Sequence, residues 1–196
     1  MKRIFGLSII CIITLSCNSN SNDSPPPQAK NNIDTIDNFF PVTNFIKGEI
    51  FQIKNGGITP VRKVIVNGKS DSSWVKMENI DSLTAIFTTP IIDTANCNTN
   101  FTENKFLDQT INAFTFSYEP KAGVPNNFAF AKWDVYVNPE TEKVTRIYLV
   151  KKISEKEMVQ LTWQVGKSYK IVTLKTSGST NKLEKTKEET LTWKFD

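Results

Sequence analysis

Residues 133–149 read Trp133-Asp134-Val135-Tyr136-Val137-Asn138-Pro139-Glu140-Thr141-Glu142-Lys143-Val144-Thr145-Arg146-Ile147-Tyr148-Leu149. Trp133, Val135 and Val137 alternate with Asp134 and Tyr136, and Thr145, Ile147 and Leu149 alternate with Arg146 and Tyr148. A period of two means a strand with one apolar and one wetter face. Asn138-Pro139-Glu140-Thr141 between them suits a type I turn, with proline presetting φ at its second position. A three-residue loop there predicts Trp133 opposite Ile147, Val135 opposite Thr145, and an ion pair of Asp134 with Arg146 across the strands. It also requires Glu142 to adopt a left-handed backbone. Asp134, Tyr136, Arg146 and Tyr148 then share the face turned away from the core, which makes them the candidate surface-contact residues.

The same period extends outward. Phe114, Phe116 and Tyr118 alternate with Thr115 and Ser117; Val159, Leu161 and Trp163 with Gln160 and Thr162; Leu191, Trp193 and Phe195 with Thr192 and Lys194. A two-residue turn at Gly166-Lys167 predicts Leu161 opposite Val172 and Val159 opposite Leu174. The polar run 175–189 is expected to be a solvated loop or an exposed hairpin tip. Toward the N-terminus the spacing changes to three and four. Val42, Phe45, Ile46, Ile50 and Phe51 predict an amphipathic helix within 38–55, with Pro41 at its start and Gly56-Gly57 at its stop. A short strand over 60–66 ends at Asn67-Gly68. Asp71-Ser72-Ser73 resembles a helix cap, and Trp74, Met77, Ile80, Leu83 and Ile86 follow every third residue. Residues 91–100 read as loop, and Phe106, Leu107 and Ile111 as a further short helix facing the core. The fold class is therefore α+β: an N-terminal helical region packed on an antiparallel meander of about six strands, within one domain spanning 33–196. A β-sandwich or small barrel is the alternative.

Composition restricts the chemistry. The chain has 196 residues, 22% of them charged, and no histidine. That excludes Ser-His-Asp and Cys-His catalysis and any histidine-ligated metal. No glycine-rich nucleotide motif and no GxSxG elbow is present. Asp93 to Glu103 carries Asn96, Asn98 and Asn100 but lacks the glycine and glutamate of a calcium loop. Asp93, Asp108, Glu119 and Asp134 are the carboxylates a glycoside hydrolase would draw on, and no spacing brings two of them together. No catalytic, cofactor-binding or metal-binding residue is assigned, and the expectation is a non-enzyme. Trp133, Trp163 and Trp193 fall in phase with aliphatic residues and are expected in the core. Cys97 is expected to be buried.

The first 17 residues carry an address. Lys2 and Arg3 precede an apolar run from Ile4 to Leu15, too short to span a bilayer and suited to a secretory signal. Leu15-Ser16-Cys17 closes it. This segment resembles the signal peptide of bacterial lipoproteins, with Thr14 standing where leucine is usual. The resemblance implies removal of residues 1–16 and acylation of Cys17. Under the same resemblance an Asp after that cysteine would favour the inner membrane, so Asn18 is permissive of the outer membrane, which is the expected location. Loss of Lys2 and Arg3 would lower the net charge from +4 to +2, too little to suggest nucleic-acid binding. Residues 17–32, rich in Asn, Ser and Pro, read as a tether. With the Trp133–Thr141 hairpin, the tether resembles small envelope lipoprotein domains of Gram-negative bacteria.

The expected function is a lipid-anchored interaction or accessory module of the cell envelope, held to the membrane by its N-terminal lipid and contacting another envelope protein. The alternative is a carrier for a lipid or small apolar ligand, in a cavity lined by Phe114, Phe116, Trp133 and Trp163. No cofactor is expected.

Overall fold

The structure is a computed structural model and describes residues 39–92, 97–124, 129–177 and 182–194. Cys17, the signal and tether segments, the domain start at 33, and Asp93 lie outside the described residues. Nine antiparallel strands form one sheet. In chain order they are β1 (Val61–Val66), β2 (Lys69–Trp74), β3 (Phe101–Asp108), β4 (Ala113–Pro120), β5 (Phe130–Val137), β6 (Val144–Ser154), β7 (Glu157–Gln164), β8 (Ser168–Ser177) and β9 (Lys182–Thr192). The spatial order is β2-β1-β9-β8-β7-β6-β5-β4-β3. From β3 to β9 the chain is a continuous meander. The β1–β2 hairpin then pairs with β9, so the sheet ends at β2 and β3. The helices α1 (Val42–Asn55) and α2 (Ile80–Thr88), with a 3-10 turn at Met77–Asn79, complete the fold.

The α+β class holds in outline, but the sheet has nine strands instead of six and the helical part is small. A single open sheet, whose end strands β2 and β3 pair with no further described strand, also sets aside the sandwich and the barrel.

Both helices lie over the same sheet face. α1 buries Val42, Ile46, Ile50 and Ile53, a stripe at spacings of four, four and three. Gly56 ends it, and Gly57 follows at φ +69°. α2 buries Ile80, Thr84 and Phe87. The Phe87 ring meets Trp163 at 5.2 Å and Tyr169 at 5.1 Å. Glu49 of α1 accepts the Gly166 N–H of the β7–β8 turn at 2.9 Å. Lys151, 3% exposed, reaches from β6 to the last turn of α2 and donates to the carbonyls of Ile86 and Thr89. Cations are favoured at that end of a helix. Burial nevertheless lowers the Lys151 ammonium to about 8.

Several local expectations are corrected. Residues 69–74 form strand β2 instead of a helix start, and Trp74 is 70% exposed. Asn67 and Gly68, both at positive φ, make the tight turn that returns the chain alongside β1. Phe106 and Leu107 belong to strand β3, and with Ile111 they are exposed instead of facing the core. Of the two readings of 175–189, the loop is set aside and the hairpin tip holds: the run is largely strand, in the paired ends of β8 and β9, and is exposed over Lys182–Lys185. Trp133, Trp163 and Trp193 are buried as expected, and Cys97 is a buried thiol.

Both hairpin registers also shift. Trp133 opposes Leu149 and Val135 opposes Ile147, with a bulge at Tyr136/Val137. The turn is longer than three residues: Asn138 N–H bonds the Lys143 carbonyl, and Asn138 Oδ1 accepts the N–H groups of Glu140 and Thr141. Glu142 does take the left-handed backbone, at φ +55°. At the other turn Gln164 opposes Ser168, so Leu161 meets Ile171 and Val159 meets Thr173. The Lys167 N–H bonds the Gln164 carbonyl, placing Gly166, φ +70°, third in a four-residue turn where type II geometry favours glycine.

Candidate functional site

The sheet face away from the helices carries the four candidate residues. β4, β5 and β6 bring them together through two adjacent registers. Ser117 opposes Asp134, which opposes Tyr148; Thr115 opposes Tyr136, which opposes Arg146. Asp134 therefore faces Tyr148, and the expected Asp134–Arg146 ion pair is not the cross-strand partnership. The two-residue register shift explains the exchange.

Asp134 is only 5% exposed. Its Oδ1 accepts the Ser117 hydroxyl at 2.6 Å, and its Oδ2 lies 3.3 Å from Lys132 Nζ. Tyr136 donates weakly to the same oxygen at 3.4 Å. The carboxylate is thus a buried anchor, not an exposed contact. Arg146 lays its guanidinium 4.0 Å from the centre of the Tyr136 ring, and Lys132 Nζ sits 5.9 Å from the Tyr148 ring. Each cation holds a ring in place, which lowers the entropy a partner must remove on binding.

The ionisation states follow from these neighbours. Burial disfavours the Lys132 ammonium, but Asp134 beside it outweighs that and raises Lys132 above the usual lysine range. Burial lifts both Tyr136 and Tyr148, and the Asp134 charge adds to it. Both phenols stay protonated at neutral pH and remain hydrogen-bond donors.

Lys132 and Ser117 were missed by the sequence reading. Lys132 lies two residues before Asp134 and so shares its face, but the strand was read as starting at Trp133. Ser117 was in the alternation on the outer side, with nothing to mark its partner. Of the other carboxylates, Asp108 takes the N–H and hydroxyl of Thr110 at the β3–β4 turn and is held below the usual carboxylate range, first by that hydroxyl. Glu119 is exposed near the end of β4. Among the described residues no group of three or more Cys, Asp or Glu side chains is placed to hold a metal, and no helix is long and apolar enough to cross a membrane.

The four side chains expected to line a cavity divide between environments. Trp133 is packed by the rings of Phe101, Tyr118 and Phe130, at 4.5, 4.9 and 5.9 Å, and Trp163 by Phe87, Tyr169 and Trp193. Phe114 is exposed and Phe116 half-buried. Comparison of the chain with protein families, curated proteins and solved structures finds no match.

Proposed function

We infer that this chain is a lipid-anchored protein of the cell envelope, bound to the outer membrane through Cys17, that works as a non-enzymatic interaction module. Its contact surface is the outer face of β4–β6. One observation carries the reading: Tyr136, Tyr148 and Arg146 stand together on the face that neither described helix covers, with Arg146 stacked on Tyr136, Lys132 beside the Tyr148 ring, and the buried Asp134 holding Lys132 and Tyr136. Tyrosine and arginine are enriched among the residues that dominate protein contacts: tyrosine offers large area with two torsions to freeze, and arginine a planar group with five hydrogen-bond donors. The close packing around Trp133 and Trp163 favours this reading over a carrier, which needs a void there.

The test is photocrosslinking in intact cells from a benzophenone side chain replacing Tyr148, with the same probe at Phe51 on the helical side as control. One discrete adduct from position 148, absent at 51 and lost on Arg146→Glu, is the expected result. Equal adducts from both positions, or an adduct indifferent to Arg146→Glu, would overturn the assignment of the face.

A further inference from the structure

The two end strands of the sheet are protected differently. β2 is six residues long and polar along most of its length, with Lys69 and Asp71 on it. A short edge, polar along most of its length, discourages pairing with another chain. β3 is eight residues long, pairs with β4 without a bulge, and contains no proline. Phe106 and Leu107 are consecutive, so they point to opposite faces, and they are 49% and 45% exposed. Phe114 of β4, directly opposite Leu107, is equally exposed. Apolar groups therefore flank, on both faces, the stretch Thr102–Leu107 of a backbone edge that no other described strand pairs.

We propose that β3 pairs edge to edge with β3 of a second copy of this chain, antiparallel, about a two-fold axis through Asn104. The charges on the strand select that partner and that register. Glu103 and Lys105 share the helix-covered face, as shown by their pairing with Tyr118 and Phe116. With Asn104 on the axis, Glu103 of each copy lies opposite Lys105 of the other, giving two reciprocal ion pairs. Phe106 then lies opposite Thr102. Moving the axis one residue either way places Glu103 against Glu103 or Lys105 against Lys105, which opposes pairing. Lys105 Nζ is already drawn to Glu103 within its own strand at 2.5 Å; Glu103, 12% exposed, also accepts the Tyr118 hydroxyl and is held in place, so Lys105, 61% exposed, is the group that reaches across to it. An isologous contact of this kind closes on itself and stops at two copies. The paired outer faces lie side by side on one surface. The inference does not depend on the functional reading of that surface.

The contact is small, so the expected dissociation constant is on the order of 10–100 µM. Sedimentation of the full chain, isolated in mild detergent, should show a concentration-dependent monomer–dimer equilibrium. Lys105→Glu turns both ion pairs repulsive and should weaken the dimer by about tenfold or more; its melting curve checks that the fold is intact. Asn104→Cys should form a covalent dimer under mild oxidation above the wild-type background, whereas Ser72→Cys on the other edge should not. A monomer up to about 500 µM, well past that range, would overturn the proposal. So would an unchanged dimer in Lys105→Glu, or equal crosslinking from positions 72 and 104.

Discussion

Trp163→Ala should destabilise the protein by about 3–5 kcal/mol, the range for deleting a large aromatic from a close-packed core. Trp163 is fully buried at the centre of the sheet, where β7 faces α2. Its ring touches Phe87 from the helix, Tyr169 from β8 and Trp193 beyond β9. Removing it leaves a cavity whose walls come from three separate elements, and these cannot close on it together. Trp163→Phe should lose only about 1–2 kcal/mol, because most of the ring contact is kept. The indole N–H of Trp163 is also buried without an acceptor among the described residues, so phenylalanine removes an unpaired donor. Urea denaturation monitored by circular dichroism reads both values. Equal losses in the two variants would show that the ring packing does not carry the stabilisation.

Glu189→Gln should destabilise by about 2–4 kcal/mol at pH 7, since breaking a buried ion pair leaves its partners uncompensated. Glu189 is 4% exposed on the helix-covered side of β9. It receives Arg62 at 2.7 Å, Lys187 at 3.0 Å and the Tyr169 hydroxyl at 3.1 Å. Burial pushes its carboxyl up, but Arg62 and Lys187 together hold it below the usual carboxylate range. On acidification the unfolded chain therefore takes up the proton first. The stabilisation is complete above about pH 4.5 and is lost as pH falls through the lower folded value. The gap between wild type and Glu189→Gln should narrow over that window. A gap that stays constant from pH 7 to pH 3 would mean that charge pairing is not its origin.

The legible part of the fold was what period two and period three-to-four encode. The strands around Phe116, Trp133, Ile147 and Leu161 were visible because their apolar groups alternate against one buried face. The helix at Val42–Asn55 was visible from its stripe and its glycine stop. The end of β9 at Leu191 was visible from its alternation, but its first part was hidden for a physical reason: the helix-covered face there carries Glu189, which is acceptable only through Arg62, Lys187 and Tyr169, and Arg62 lies on a strand distant in sequence. β3 was misread because Phe106 and Leu107 are apolar but exposed at a sheet edge, so their spacing reports no core face. β2 was misread because Ser and Asp serve helix caps and exposed strands equally. Both registers failed on turn chemistry: Asn138 lengthened one loop through its side chain, and Gly166 took the third turn position instead of the second.

The contact face was legible as a set of residues but not as an arrangement. Alternation placed Asp134, Tyr136, Arg146 and Tyr148 on one side. Which cation met which ring depended on a register that the longer turn and the bulge at Tyr136/Val137 together displaced by two residues. Asp134 consequently changed role, from an exposed ion-pair partner to a buried support for the residues around it.

The membrane address underlies the whole functional reading, and one measurement tests it: fractionation of cells expressing wild type and Cys17→Ala. The account predicts that wild type sediments with the outer membrane as a lipid-modified, shortened chain, and that Cys17→Ala is released or accumulates at full length. A Cys17→Ala protein that fractionates and migrates as wild type does would contradict the lipid anchor.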